Sequence, residues 1–339
     1  MTWIEQALEA TGTASVRRRR LPAEQVVWLV IALALYRHQS MPEVLATLDL
    51  SLPAASGRTV SKSAITQARQ RLGAEPLGWL FAETGRAWSR QDAERYAWKG
   101  LSLWAMDGTI FRTPDSPENR AHFGAQRYSS GKIASYPQVR AVSLTAIPTH
   151  LVADLAFGAY GTNEMLYAKQ LIPRIPDHSL TVFDKGFLSA EILLGLSLAG
   201  QDRHYLIPAK SNLKWERLSG SEEDGLVRMR VSPQARAKAP GLPEYWSARA
   251  IRVVSANGKV RTLLTSLTDA RRFSAQELAE CYRRRWEVET GYRELKQSLL
   301  GHVPILRSQQ PQGVEQEIWG NLIGYNLVRL EMAKAAIEA

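Results

Sequence analysis

LSLWAMDGT, residues 101–109, runs apolar into an acid and then reaches a glycine, and LTVFDKGF, residues 180–187, does the same. Short apolar runs of this kind read as buried strands of a parallel or mixed sheet, and they end by presenting Asp107 and Asp184 at its edge. Gly108 and Gly186 mark the turns that follow. Taken singly, either aspartate reads first as a turn or helix N-cap residue. The rest of the chain gives the pair a second reading.

From Gly100 onward strands and helices alternate. WAMDGTI, YPQVRAVSLTAI and HLVADLAFG are predicted strands, followed by a helix over Glu164–Ile175, the strand SLTVFD, a helix over Ser189–Leu198 and the strand RHYLIPA. Three sequential strands and then alternation predict an α/β fold on a mixed sheet, where acids from distant segments converge. Between Lys210 and Ala270 the pattern returns to strands (LVRMRVS, YWSARAIRVVS, KVRTLLTSL), which predicts a β-rich insertion at about residues 211–270. Its basic strands suit either tracking of DNA or a structural lid.

Residues 1–95 read as a helical N-terminal domain, preceding the α/β domain over 96–339. Pro42–Leu72 fits a helix-turn-helix whose recognition helix, Ser61–Leu72, presents Gln67, Arg69, Gln70 and Arg71, and it fits a plain helical bundle as well. The run Arg17–Arg20 is either a grip on phosphates or a solvated lead-in.

A third carboxylate comes from CYRRRWEVETGYRELKQSLL, residues 281–300. Ser274 and Glu277 form an S-x-x-E capping box before it, and no proline interrupts the chain until Pro304, so a continuous helix is predicted. At roughly 100° per residue, Tyr282, Arg285, Glu289 and Lys296 fall within about 60° of arc. A packing stripe would be apolar, whereas this face carries a phenol, a guanidinium, a carboxylate and an ammonium. The competing reading is a solvated helix laced with i, i+4 ion pairs. With Asp107 and Asp184, Glu289 completes the three carboxylates that two divalent metals need for in-line displacement at phosphorus.

Neighbouring acids fall outside this set. Asp115 sits in the turn-like TPDSPEN, Glu287 points about 200° around the helix from Glu289, and Asp154 lies within the strand-like LVADLAFG. Trp286 and Arg293 lie near the charged face. For Trp286 both core packing and stacking on a displaced base are open.

These segments together resemble the DDE transposases of bacterial insertion sequences, in the insertion element 4 branch. The pattern Y-x2-R-x3-E-x6-K is met by Tyr282, Arg285, Glu289 and Lys296; the first acid lies in MDGTIFRTPDSPENRAHFG, followed by YPQVRAVSLTAI and AFGAYGTNE, and the second in FDKGFLSAEIL. The likeness spans about residues 20–335. It implies a ribonuclease H-like catalytic domain, with Asp107, Asp184 and Glu289 as its metal-binding triad. It also implies Tyr282, Arg285 and Lys296 as contacts to the transposon end, beside which Trp286 and Arg293 are further candidates for DNA binding by their place on the helix. Two Mg²⁺ ions, for which Mn²⁺ can substitute, double-stranded DNA at terminal inverted repeats, target DNA and a homodimer in the DNA complex belong to the same expectation. The chain ends at Ala339, soon after IWGNLIGYNLVRLEMAKAA, where relatives often continue.

Composition fits without deciding. The 43 Lys and Arg against 33 Asp and Glu give a net charge of +10, as suits a partner of a polyanion. VVWLVIALALY, residues 26–36, is too short to span a bilayer and reads as a buried helix. The opening MTWIEQALEATG lacks the basic start and apolar core of a secretory signal. Cys281 is the sole cysteine, which excludes an intramolecular disulfide and a cysteine zinc site. A cytoplasmic, nucleoid-associated bacterial protein is expected.

The expected reaction is two-metal phosphoryl transfer, with ions about 3.5–4 Å apart. The resemblance adds cut-and-paste movement through a hairpin and joining of the 3′-hydroxyl to target DNA. Two alternatives stay open: a non-catalytic DNA-binding protein derived from a transposase, and a nuclease of the same fold.

Overall fold

The computed structural model describes residues 2–14, 21–48, 60–91, 93, 95–254, 258–286 and 305–338. Five helices open the chain: α1 (Trp3–Ala10), α2 (Ala23–Leu35), α3 (Met41–Thr47), α4 (Lys62–Leu72) and α5 (Glu75–Gln91). Their starts follow local chemistry. Thr2 with Glu5, and Ser40 with Glu43, form capping boxes at α1 and α3, and the Ser61 hydroxyl accepts from the Ala64 amide at α4. The apolar run in α2 is buried over most of its length, as its sequence requires.

A nine-stranded sheet follows, in the order β3-β2-β1-β4-β5-β9-β8-β7-β6. Its first part is β1 (Ser102–Arg112), β2 (Gln138–Ala146), β3 (Val152–Ala159), β4 (Ser179–Phe183) and β5 (Arg203–Pro208). The first three strands are antiparallel neighbours, and β4 and β5 run parallel to β1. That topology is the ribonuclease H-like mixed sheet expected from the strand pattern. Helix α6 (Pro117–Phe123) follows β1, and α7 (Glu164–Leu171) and α8 (Ala190–Leu198) make the crossovers. The predicted helix to Ile175 stops being α-helical at Leu171 and tightens into a 3₁₀ turn over Ile172–Arg174, where Pro173 lacks the amide to continue it.

The β-rich insertion is present, and it is part of the same sheet. β6 (Glu216–Gly220), β7 (Asp224–Arg230), β8 (Tyr245–Val254) and β9 (Val260–Thr265) are antiparallel, with α9 (Pro233–Lys238) between β7 and β8, and β9 pairs with β5. Four of its arginines are charge-paired: Arg228 with Glu216, Arg230 with Glu244, Arg252 with Glu223 and the buried Arg249 with Asp224. Arg249 also donates to the Phe273 carbonyl at 2.6 Å, which ties the insertion to the start of α10 (Ala275–Arg283).

Helices cover both faces. Met106, Val142 and Leu144 face a core built with α7 and α8. Leu103, Ala105 and Val182 face the opposite core, which holds Leu278, Cys281 and Tyr282 of α10. A third core joins α1–α5 to Phe111, Val139 and Val152 of the sheet and to Val314, Ile318 and Leu322 of the C-terminal helix Pro311–Glu338. Gly320 permits the close approach of that helix to α2, since a Cβ there would lie 2.8 Å from the Val30 carbonyl oxygen. The N-terminal helices therefore share their core with both the sheet and the end of the chain.

Candidate active site

The parallel ladder between β1 and β4 closes at Met106↔Phe183. Asp107 and Asp184 are the next residue on each strand, so the two acids come out side by side, about one strand spacing apart. Alternation sends the Asp107 side chain to the face of Ala105 and Leu103, the face covered by α10. Its Oδ1 accepts from the Gly108 amide at 2.8 Å. Asp184 leaves the strand in extended conformation and caps the 3₁₀ turn Lys185–Phe187, accepting from the Gly186 amide at 3.1 Å. The N-cap reading of this aspartate and its place at the sheet edge are thus both correct.

Over these acids lies the end of α10. The Ser274–Glu277 capping box is formed, and Lys99 pairs with Glu277 at 2.8 Å. The predicted unbroken helix needs correction among the described residues: α10 ends at Arg283, Arg284 is a turn, and helical conformation resumes at Arg285. Arg284 tightens the turn with ψ near −13°, and its amide bonds back to Glu280 and Cys281. Tyr282 and Arg285 nevertheless remain neighbours, with the guanidinium carbon 5.9 Å from the phenol ring centre.

Arg285 is only 6% exposed and turns inward, placing Nη1 3.6 Å from Asp107 Oδ2. Tyr282 is 7% exposed; burial pushes its phenol above the usual range, against the charge and hydrogen bond of Arg285. Trp286 behaves oppositely: it is 54% exposed, its ring centre is 5.5 Å from the Arg285 guanidinium carbon, and it is in none of the buried cores formed by the described residues. The core-packing reading of this tryptophan is therefore set aside. Glu289, Arg293 and Lys296 lie outside the described residues, as do Glu287 and the Arg17–Arg20 run.

One acid at this edge was missed in the sequence. Glu164, the first residue of α7 after the N-cap Asn163, lays its carboxylate on the backbone of Gly108. A Cβ at Gly108 would overlap Glu164 Oε1 and lie 2.7 Å from its Cδ, so only glycine leaves this cradle open. Burial raises the Glu164 carboxyl above its usual range; Arg140 opposes the shift and Asp184 adds to it. Arg140 itself donates to the Thr162 carbonyl at 2.9 Å and stacks on Tyr160, 4.4 Å from the ring centre. The sequence signal was the close of AFGAYGTNE, where Glu164 was read as the start of a helix and not as a group of the site.

The donors at this edge are carboxylate oxygens, the type that Mg²⁺ and Mn²⁺ take. Among the described residues no three of His, Cys, Asp and Glu come close enough together to hold a metal by themselves.

Comparison with known proteins fits this geometry. Residues 98–327 match the family described as transposase DDE domain, and residues 1–82 match the insertion element 4 transposase N-terminal family. The chain belongs to the insertion element 4 family of DDE transposases. It is 42% identical to the transposase InsG for insertion sequence element IS4 of Escherichia coli (strain K12), over 98% of this chain and 75% of that one. Over 66 residues, 20% of this chain and 17% of the relative, it is 41% identical to a transposase for insertion sequence element IS421 of Escherichia coli. A solved piggyBac transposase synaptic complex with hairpin DNA aligns over 98% of this chain and 72% of its own, with a TM-score of 0.43 and 13% identity.

Two other acids of this transposase have structural partners. Asp154, 2% exposed in β3, takes both its oxygens to Arg174 Nη1 at 2.8 and 2.7 Å. Asp115 accepts from Arg120 Nε at 2.7 Å on the surface. On α4, Gln67, Gln70 and Arg71 are exposed, whereas Arg69 is not presented outward as expected. It bonds to Gln316 of the C-terminal helix at 3.0 Å, beside a cavity of about 680 Å³ lined also by Lys62 and Arg307. Cys281 is buried, which pushes its thiol up to about 12 and leaves it without nucleophilic use. No described helix is long and apolar enough to cross a membrane.

Proposed function

We propose that this transposase cuts the ends of an insertion sequence and joins the freed 3′-hydroxyl to target DNA, with Asp107, Asp184 and Glu289 as its divalent-cation ligands. The observation that carries the reading is the end of the β1–β4 ladder at Met106↔Phe183, which puts the first two acids side by side. A pair of bound Mg²⁺ or Mn²⁺ ions supplies activation of a water or hydroxyl on one side of the phosphorus and stabilisation of the leaving oxygen on the other.

The chain's own part is placement. β1 and β4 fix two carboxylates on rigid backbone, with Asp184 further held by its bond to Gly186. Arg285 neutralises Asp107 and keeps it oriented, and the phenol of Tyr282 steadies that guanidinium. The exposure of Trp286 supports a role in stacking on an unpaired base near the cut, and Arg293 and Lys296 are assigned to backbone phosphates. Cut-and-paste movement through a hairpin, catalysed by a homodimer that holds two ends, completes the proposal. A labelled duplex bearing the element's end tests it: a nick, then a hairpin, then joined products, all requiring a divalent cation. Cation-dependent nicking with no joined product would favour a nuclease of the same fold.

A further inference from the structure

The two acids are expected to hold cations from the α10 face of the sheet, yet the opposite face is not bare at this edge. Glu164 lies there, held against the strand one residue beyond Asp107 because Gly108 has no side chain. It reaches this position as the first residue of α7, a helix started by the Asn163 side chain bonding to the Met165 amide at 2.9 Å. Arg140, on the strand paired with β1, balances its charge while spending one nitrogen on Thr162 and stacking on Tyr160. The Glu164 carboxylate is also near enough to Asp184 for the two charges to interact.

Such a placement costs free energy, since the Glu164 carboxylate is partly desolvated against the strand and feels the like charge of Asp184. A purely structural anchor for α7 needs neither Asp184 nor a glycine at 108. Mg²⁺ and Mn²⁺ sites commonly retain several bound waters, and those waters need acceptors beyond the direct ligands. Because the described acids do not form a closed three-ligand cluster, Glu164 suits that outer role better than direct ligation.

We propose that Glu164 is a positioning residue of the reaction centre, an acceptor for cation-bound water beside Asp184 that sets how tightly the site holds a divalent ion. The inference rests on the reading of Asp107 and Asp184 as cation ligands. It makes Gly108 a functional glycine: its missing Cβ is the space in which the acceptor sits.

The test is Mn²⁺ titration of the full chain, followed by the loss of the free-ion paramagnetic resonance signal, with thermal stability in EDTA measured alongside. Glu164→Gln keeps shape and removes charge, and the expected result is a 10- to 100-fold weaker Mn²⁺ affinity, the range seen on losing outer-shell partners. Gly108→Ala, which pushes the flexible end of Glu164 aside, should weaken Mn²⁺ in the same direction, and Glu164→Asp should recover part of the loss. Asp184→Asn is the control. If Asp184→Asn weakens Mn²⁺ binding and Glu164→Gln does not, Glu164 is only a structural anchor and the inference is overturned. If Asp184→Asn leaves Mn²⁺ behaviour as in the parent, the ligand reading fails and takes the inference with it.

Discussion

Arg285 Nη1 lies 3.6 Å from Asp107 Oδ2, with side-chain exposures of 7% and 17%. The guanidinium that the resemblance casts as a DNA contact faces the first acid of the site. Replacing either partner removes a charged contact from a poorly hydrated place, at about 1–3 kcal/mol. We predict that Arg285→Ala and Asp107→Asn each lower stability to chemical denaturation, and that the double variant loses about 0.5–3 kcal/mol less than the sum. Additive losses would show that the pair does not couple.

The same burial changes what salt should report. Binding to an end releases counterions, so affinity falls steeply with salt, and each lost phosphate contact flattens the slope by about one. Lys296→Ala is expected to flatten it, whereas Arg285→Ala should leave the slope nearly unchanged. Binding curves of both variants between low and physiological salt check this.

Tyr282→Phe keeps the buried ring and removes the bond to Arg285. One such bond is worth about 0.5–1.5 kcal/mol, or roughly 2- to 10-fold in a rate that depends on it. End binding and the first nick should persist while hairpin formation slows by that factor. A time course with equal rates for nick, hairpin and resolved break would confine the phenol to packing.

Asp154 illustrates how burial and pairing separate a structural acid from a chemical one. Its two oxygens are committed to Arg174, whose guanidinium reaches solvent, so Asp154→Ala should cost about 1–3 kcal/mol through the buried hydrogen bonds it removes. The cleavage rate per folded molecule should stay at the parent value.

At the start of α10, hydrogen bonds from Lys99 and then Ser274 hold the Glu277 carboxyl down at about 2, from an ordinary 4.5. A depressed folded-state value means the stabilisation is full above the unfolded value and fades as pH falls through the folded one. The difference in melting temperature between the parent and Glu277→Gln should therefore be constant above about pH 4.5 and shrink toward pH 2. An unchanged difference across that window would remove the charge from the cap's contribution.

Much of this arrangement was legible in the chain. Period-two and apolar runs located β1 to β5, and the acid-glycine endings of two of them marked the sheet edge where Asp107 and Asp184 stand. Capping chemistry placed the start of α10. What escaped is tertiary. Local pattern extended the helix across residues 281–300, whereas the inward swing of Arg285 toward Asp107 accompanies a tight turn at Arg284. Exposure of Trp286 and the turning of Arg69 toward Gln316 likewise depend on distant partners. Glu164 was hidden because its meaning lies in a glycine far away in sequence, whose missing Cβ no periodicity reveals.

The central claim is that Asp107, Asp184 and Glu289 form one cation-dependent centre for cutting DNA. The most direct measurement is cleavage of a labelled duplex bearing the element's end, in Mg²⁺ or Mn²⁺, by Asp107→Ala, Asp184→Ala and Glu289→Ala, with binding measured in Ca²⁺ or EDTA. The account predicts that each variant binds the end and none cuts it, because losing one ligand destroys the geometry of in-line attack while phosphate contacts lie elsewhere. Near-parental, Mg²⁺-dependent cutting by any one of the three would contradict it.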